Sequence, residues 1–395
     1  MSKKNVEWEW KKLGDVCDFN SGYTPKKNEL LKEGLVPYFK VSDMNRVANS
    51  LFMIESDLYV INPKKIFKRN SIVFPKNGGA VFTNKKRILA QESVIDLNSQ
   101  SISTKKENTL STSFLYLFFQ TIDLKDFSKG AALPTLEMSL LKNIEISIPP
   151  LDEQERIVKV LDDAFEKIDV IKITAETNLQ NAKDLFQTTL ANELSITDEK
   201  IKQGWEEKTL DDCCEITSIL VDPKETKYRK LLHVGGANIE SETGRLLDLQ
   251  TAEEENLISG KFLFDDTMIL YSKIRPYLKK IVQPDFSGLC SADIYPLNVK
   301  RNMNKGFLFY TLFSEPFTDF ANKNSARAGM PKINRESLFA YKFFLPPLPI
   351  QKQIVAKLDS LSEKVKQLES NYKQVLADCD ELKKALLKQA FEGML

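Results

Sequence analysis

The chain has 395 residues, of which 42% are hydrophobic and 28% charged, with a formal net charge of +1. That length is too great for one core, so two or three globular domains are expected. No apolar run reaches the roughly 18 residues of a membrane span, and the opening MSKKNVEWEWKK lacks the apolar centre of a signal peptide, which points to the cytoplasm with no membrane attachment. Five cysteines, an odd number without a C-x-x-C pair, and a single histidine argue against a disulfide framework or a zinc site.

In chain order, residues 1–147 mix β-branched and aromatic runs such as NSIVF and YVI with Asn, Gly and Pro punctuation, the pattern of strands in a mixed α/β domain. This segment holds 22 Lys and Arg against 16 Asp and Glu. Its cations cluster at Lys64, Lys65, Lys68 and Arg69, at Lys76 with Asn77 and two glycines, and at Lys85, Lys86 and Arg87. Residues 148–203 change character: from Leu151 to about Ala191 there is neither Gly nor Pro, helix formers dominate, and 7 cations face 12 anions. One long helix and a linker are expected, with Asp152 and Glu155 spaced like an N-cap residue and its partner.

Residues 204–344 return to the mixed pattern, with cations at Lys273, Arg275, Lys279, Lys280, Arg327 and Lys332. The lone His233, in the apolar run LLHVGG, reads as structural. Residues 345–395 form a second long helix.

The second helix repeats the first. IPPLDEQERIVKVLDDAFEKIDVI from Ile148 and LPPLPIQKQIVAKLDSLSEKVKQL from Leu345 agree at 10 of 24 positions at an offset of 197. Trp8 with Trp205, Lys76 with Lys273 and Pro134 with Pro331 fall on the same offset. A period this long is a domain duplicated in tandem, since solenoid units span about 20 to 50 residues.

Mostly apolar residues at 4-3 spacing in the second helix, Ile354, Leu358, Leu361, Val365, Leu368, Tyr372, Val375, Leu382 and Leu386 with Cys379 among them, predict a coiled-coil seam. The equivalent set in the first helix includes Ile157, Leu161, Ile168, Ile171 and Leu185, weakened by Asn178. The fold class expected is therefore mixed α+β: two α/β domains (1–147 and 204–344) joined by two long helices (within 148–203 and 345–395), in a pseudo-twofold internal repeat.

No phosphate-binding G-x-x-x-x-G-K-[ST], no G-x-G-x-x-G and no N-P-P-[FY] base-holding run is present, so no catalytic residue and no metal ligand is assigned. A nuclease pattern can be assembled only from Pro284-Asp285 and Glu381-Leu382-Lys383, and Leu382 belongs to the expected seam. Matching cations in both copies, beside Gly and Asn that permit close approach to phosphates and base edges, point to DNA.

The duplicated P-P-L-x-x-Q-x-x-I-V, the SARAGMPKINRESL stretch before its second copy and the domain–helix alternation resemble the specificity subunit of type I restriction-modification enzymes. The resemblance covers the whole chain. It implies a non-catalytic, double-stranded-DNA-binding subunit in which each domain recognises one half of a split target. The helices would form an antiparallel coiled coil that sets the gap and docks two modification (methyltransferase) subunits, with restriction (translocase and nuclease) subunits joining. S-adenosylmethionine, ATP and Mg²⁺ would then belong to those partners, and this chain would bind none. The rival readings are a free-standing nuclease or methyltransferase and a DNA-binding coiled-coil scaffold unconnected with restriction.

Overall fold

A computed structural model, which describes residues 8–130, 133–325 and 329–395, turns the sequence duplication into a duplicated hydrogen-bonding pattern. Strand Glu9–Lys12 pairs antiparallel with Glu145–Ile148, Glu9 opposite Ile148. Strand Glu206–Thr209 pairs with Lys342–Leu345 in the same register, Glu206 opposite Leu345. In each copy the strand that leads into the Pro-Pro-Leu motif is thus tied to the strand that opens the copy.

The chain divides into two compact units, Met1–Ala175 with Gln374–Leu395, and Glu176–Lys373. Each takes one globular segment and part of both long helices, so these divisions differ from the four consecutive segments read from the sequence.

The first unit is built on a five-stranded sheet in the order Cys17–Ser21, Ser99–Thr104, Ile72–Pro75, Arg87–Leu89, Phe52–Met53. Only the last pair is parallel. Strand Ile72–Pro75 is apolar throughout and fully buried, as a central strand covered on both faces should be. Helix Thr112–Gln120 packs on this sheet through Phe114, Leu115, Leu117, Phe118 and Phe119. Ser111 caps it, its hydroxyl accepting from the Phe114 N–H (3.3 Å), one of the amides a helix start leaves unpaired.

In the second unit, Cys214–Glu215, Ile294–Val299, Ile269–Ser272 and Ile281–Val282 form an antiparallel sheet. Helix Lys305–Phe313, capped by Asn304, stands where Thr112–Gln120 stands in the first copy. This unit adds a second, five-stranded sheet, Leu220–Val221, Lys261–Phe264, Gly288–Cys290, Leu232–Val234, Gln250–Thr251, with its own small core around Val234, Phe264, Leu270 and Cys290. Its parallel pair Leu232–Val234 with Gly288–Cys290 matches the parallel pair Tyr38–Phe39 with Val94–Ile95 of the first unit.

The glutamine of the repeated motif explains why the motif is repeated. Gln154 is fully buried; its amide donates to Thr109 O and Pro149 O (both 2.8 Å), and its carbonyl accepts from the Ser111 N–H (2.9 Å). Gln351 does the same, donating to Asn302 O (3.0 Å) and Pro346 O (2.8 Å) and accepting from the Asn304 N–H (2.8 Å). Each glutamine fastens the first turn of a long helix to the cap of the short helix beside it. The expected capping by Asp152 is corrected: the long helix already begins at Leu151, and the Pro150 carbonyl accepts from the Glu153 and Gln154 amides.

The two long helices, Leu151–Leu194 and Leu348–Phe391, have 44 residues each. In the first unit Asp169 pairs with Lys383 (2.5 Å) and Lys172 with Asp380 (2.8 Å). In the second, Glu193 pairs with Lys357 (2.5 Å) and Lys183 with Glu369 (3.7 Å). Residue number rises along one helix as it falls along the other, so the pairing is antiparallel in each unit.

The seam is corrected at four positions. Ile157, Leu161, Ile168, Ile354 and Leu358 are buried and Leu361, Val365, Tyr372, Val375 and Leu386 half-buried, as expected. Ile171, Leu185, Leu368 and Leu382, however, are 47%, 58%, 37% and 48% exposed. The next residue along, Lys172, Phe186, Glu369 or Lys383, is less exposed in each case. The covered face keeps its seven-residue period, through Ile168, Ala175, Ala182 and Thr189 and through Val365, Tyr372, Cys379 and Leu386, but the covered residue between them stands four after each, as at Lys172 and Glu369, where the expectation placed it three after.

Candidate nucleic-acid interface

In the first unit the buried strand Ile72–Pro75 runs out into Lys76-Asn77-Gly78, and a second loop clasps it there. The Lys76 N–H donates to Asn98 O (2.7 Å), Lys76 O accepts from the Leu136 N–H (2.9 Å), and the Gly78 N–H donates to Pro134 O (2.8 Å). Gly78 has φ +77°, a left-handed conformation that suits glycine, and nothing lies within 4 Å of where a side chain would start.

Polar side chains gather beside this clasp. Lys76 Nζ donates to Ser21 Oγ (3.3 Å), Ser21 Oγ donates to Gln100 Oε1 (2.8 Å), Lys65 Nζ donates to Ser21 O (3.2 Å), and Asn77 Nδ2 donates to Asn98 Oδ1 (3.4 Å). Lys64, Lys68 and Arg69 are exposed, and among the described residues none forms an ion pair. The sequence reading missed Ser21, at the end of strand Cys17–Ser21, and Asn98 and Gln100, from the turn before Ser99–Thr104 and that strand itself; none carries a charge signal.

Lys85, Lys86 and Arg87 are not one solvated patch, which corrects the expectation for the middle residue above all. Lys86 is 1% exposed; its Nζ donates to Ile122 O (2.5 Å) and Asn84 Oδ1 (2.9 Å), and burial lowers its pKa to about 8. Entering a strand, consecutive side chains face opposite ways, so one member of a basic triplet must point inward. Arg87 is half-buried, donating to Lys86 O (2.9 Å) and Met44 O (3.3 Å), and Lys85 reaches Asn45 Oδ1.

The second unit repeats the clasp with different side chains. The Lys273 N–H donates to Asp293 O (3.0 Å), Lys273 O accepts from the Ile333 N–H (3.1 Å), and the Arg275 N–H donates to Pro331 O (2.8 Å). Lys273 is buried: its Nζ donates to Ala292 O (2.5 Å), pairs with Asp293 (3.2 Å) and lies 5.3 Å from the centre of the Tyr295 ring. Lys332 shares Asp293 at 3.7 Å. Lys279 is likewise buried, paired with Glu315 (2.5 Å), while Lys280 donates to Gly236 O. Lys273 and Lys279 thus join Lys86 as cations turned inward to hold loops, a correction to their expected place on the open surface. Arg275 is exposed; Arg327 lies outside the described residues.

His233 is buried, with Nδ1 at 3.0 Å from Glu255, and burial pushes its pKa down against the pull of that carboxylate. All five cysteines are buried and free, and burial pushes the thiols of Cys17 and Cys290 up to about 12. Among the described residues no group of three or more His, Cys, Asp or Glu could hold a metal ion, and no helix is long and apolar enough to cross a membrane.

Duplicated α/β units, each with a clasped loop and part of two long antiparallel helices, define a class of tandem-repeat proteins built on paired helices. The chain belongs to the family described as type I restriction modification DNA specificity domain, whose model matches residues 5–181 and 202–377. Over 100% of its length it is 26% identical to the type I restriction enzyme EcoDI specificity subunit of Escherichia coli, covering 90% of that protein. It is also 26% identical to the MjaVIII specificity subunit of Methanocaldococcus jannaschii, with 90% of this chain and 86% of that one aligned. Among solved structures, a chain described in the assembly and conformational transition of the type I R-M system matches with a TM-score of 0.79 at 19% identity, both chains covered in full. The HsdS subunit of Thermoanaerobacter tengcongensis matches at 0.59 and 19%, covering 100% of this chain and 99% of that one. At such identities these two likenesses speak for the fold.

Proposed function

We propose that this chain is the sequence-reading, non-catalytic subunit of a cytoplasmic type I restriction-modification enzyme. Each unit takes one half of a split double-stranded DNA target, with exposed cations such as Lys64, Lys68, Arg69 and Arg275 on phosphates and base edges. The observation that carries this reading is the pair of equivalent clasps, at Lys76 to Gly78 and at Lys273 to Arg275, which hold the same kind of loop rigid in two units of unlike sequence. Rigid presentation of polar groups is what base readout requires, while unlike side chains give unlike half-sites.

The two continuous helices run from one unit into the other and set the gap between half-sites. Their outward faces receive two modification subunits, which bring S-adenosylmethionine; restriction subunits bring ATP and Mg²⁺. Expressing the chain with its modification subunit and sequencing methylated adenines tests this. A two-part target separated by a fixed gap is expected, with no methylation from the purified chain alone. Methyl transfer by this chain by itself, or a continuous target, would overturn it.

A further inference from the structure

Gly78 and Arg275 stand at the same place in the two copies, 197 residues apart, and both have a positive φ, although ψ differs, −178° at Gly78 and 67° at Arg275, which lies in the left-handed region. The φ values are +77° and +50°, and both residues donate their N–H to a proline carbonyl at 2.8 Å, Pro134 and Pro331 respectively. Glycine tolerates this region without hindrance, but an L side chain disfavours it because Cβ crowds the following carbonyl. Arg275 also precedes Pro276, which on its own pushes a residue toward extended geometry. The first copy makes the equivalent N–H bond to a proline carbonyl from a glycine, so that bond by itself gives no reason for an arginine there.

Nor does the arginine recover anything inside the chain. Its side chain is exposed, and among the described residues its guanidinium makes no hydrogen bond or ion pair, whereas Lys273, Lys279, Lys280 and Lys332 around it all engage a protein oxygen. Its backbone, by contrast, is fixed on both sides, by the bond to Pro331 and by the buried Pro276. Strain retained at a rigid, outward-pointing position is a mark of function.

We infer that Arg275 is a specificity-determining residue of the second unit, its guanidinium fork reading the O6 and N7 edge of a guanine in that unit's half-site, while Gly78 presents backbone alone to the other. The inference rests on the DNA-reading function proposed above. A planar group with paired donors on an immobile backbone matches two fixed acceptors. A flexible phosphate-binding side chain has no need of that rigidity.

The test uses the full chain assembled with its modification subunits, as wild type and as Arg275→Ala, Arg275→Lys and Arg275→Gly. Wild type defines the target, and if it methylates no two-part site the underlying function falls, before any variant is scored. With a two-part site established, Arg275→Ala should relax one G·C position of the half-site assigned to residues 204–344, with discrimination at that position falling about 10-fold to 100-fold and the other half-site unchanged. Arg275→Gly should relax the same position while thermal stability holds or rises, which separates reading from folding. A second half-site identical to wild type in all three variants, or an equal loss on every DNA sequence with a flatter salt dependence, would overturn the inference.

Discussion

Gln154 and Gln351 occupy the same position in the two copies, and each makes the same three hydrogen bonds to its own unit: two from its amide to backbone carbonyls and one accepted from a capping residue's N–H. A buried amide satisfied in this way couples a helix to a loop with fixed geometry, because any rotation of the helix breaks several bonds together.

Replacing Gln154 by Ala strands the Ser111 N–H and the Thr109 and Pro149 carbonyls. A loss of about 1–3 kcal/mol is expected from such unpaired buried groups. Hydrogen exchange locates the damage: the Ser111 amide should exchange faster and the Asn304 amide should keep its wild-type rate, with the reverse for Gln351→Ala.

Lys86 gives the protein a pH dependence of known sign. Burial lowers its pKa from 10.5 to about 8 in the folded chain. Between these values the unfolded chain holds the proton that the folded chain has lost, so stability rises with pH. Relative to Lys86→Met, the wild type should gain on the order of 3 kcal/mol between about pH 8 and 10.5. Parallel denaturation curves across that window would show that the amine is not held as described.

The ion pairs between the helices carry a polarity that favours unlike halves. Through the 197-residue repeat Lys172 corresponds to Glu369 and Lys183 to Asp380, so the pairs Lys172 with Asp380 and Lys183 with Glu369 occupy equivalent places with their charges exchanged. In a chain ending at Gln203, the apolar stripe of the first helix would seek a second copy by antiparallel pairing. That pairing sets Lys172 against Lys183 of the other copy, twice. Surface pairs contribute about 0.2–1 kcal/mol each, so with two pairs Lys183→Glu should tighten the half-chain dimer by roughly 2-fold to 30-fold. Sedimentation measures this; equal dimerisation of the two forms would mean the charges do not discriminate.

The exposed basic group Lys64, Lys68 and Arg69 is the better phosphate candidate than the triplet at Lys85. Changing all three to alanine should weaken DNA binding by the assembled enzyme equally for target and unrelated sequences. The slope of log affinity against log salt should fall by about 0.9 for each phosphate no longer neutralised. An unchanged slope would make them a solvated face only.

The sequence by itself determined the duplication, the two long helices, the mixed α/β character of the units and the family resemblance. These rest on composition and on periodicity repeated over many residues, and an error at one position does not disturb them. Tertiary structure alone decided which cations are free. Lys86, Lys273 and Lys279 read as surface charge, yet each is buried against a carbonyl or carboxylate that arrives from a distant part of the chain. It also decided the seam beyond Ile168, where the seven-residue period holds but the partner helix covers the residue four after each step, so Lys172 replaces Ile171 and Phe186 replaces Leu185. Gln154 was visible as part of a motif, but its role was not, since two of the three groups it satisfies, at Thr109 and Ser111, lie more than forty residues earlier. Local spacing records what a segment prefers; the partner of a buried polar group is set by whichever segment folds against it.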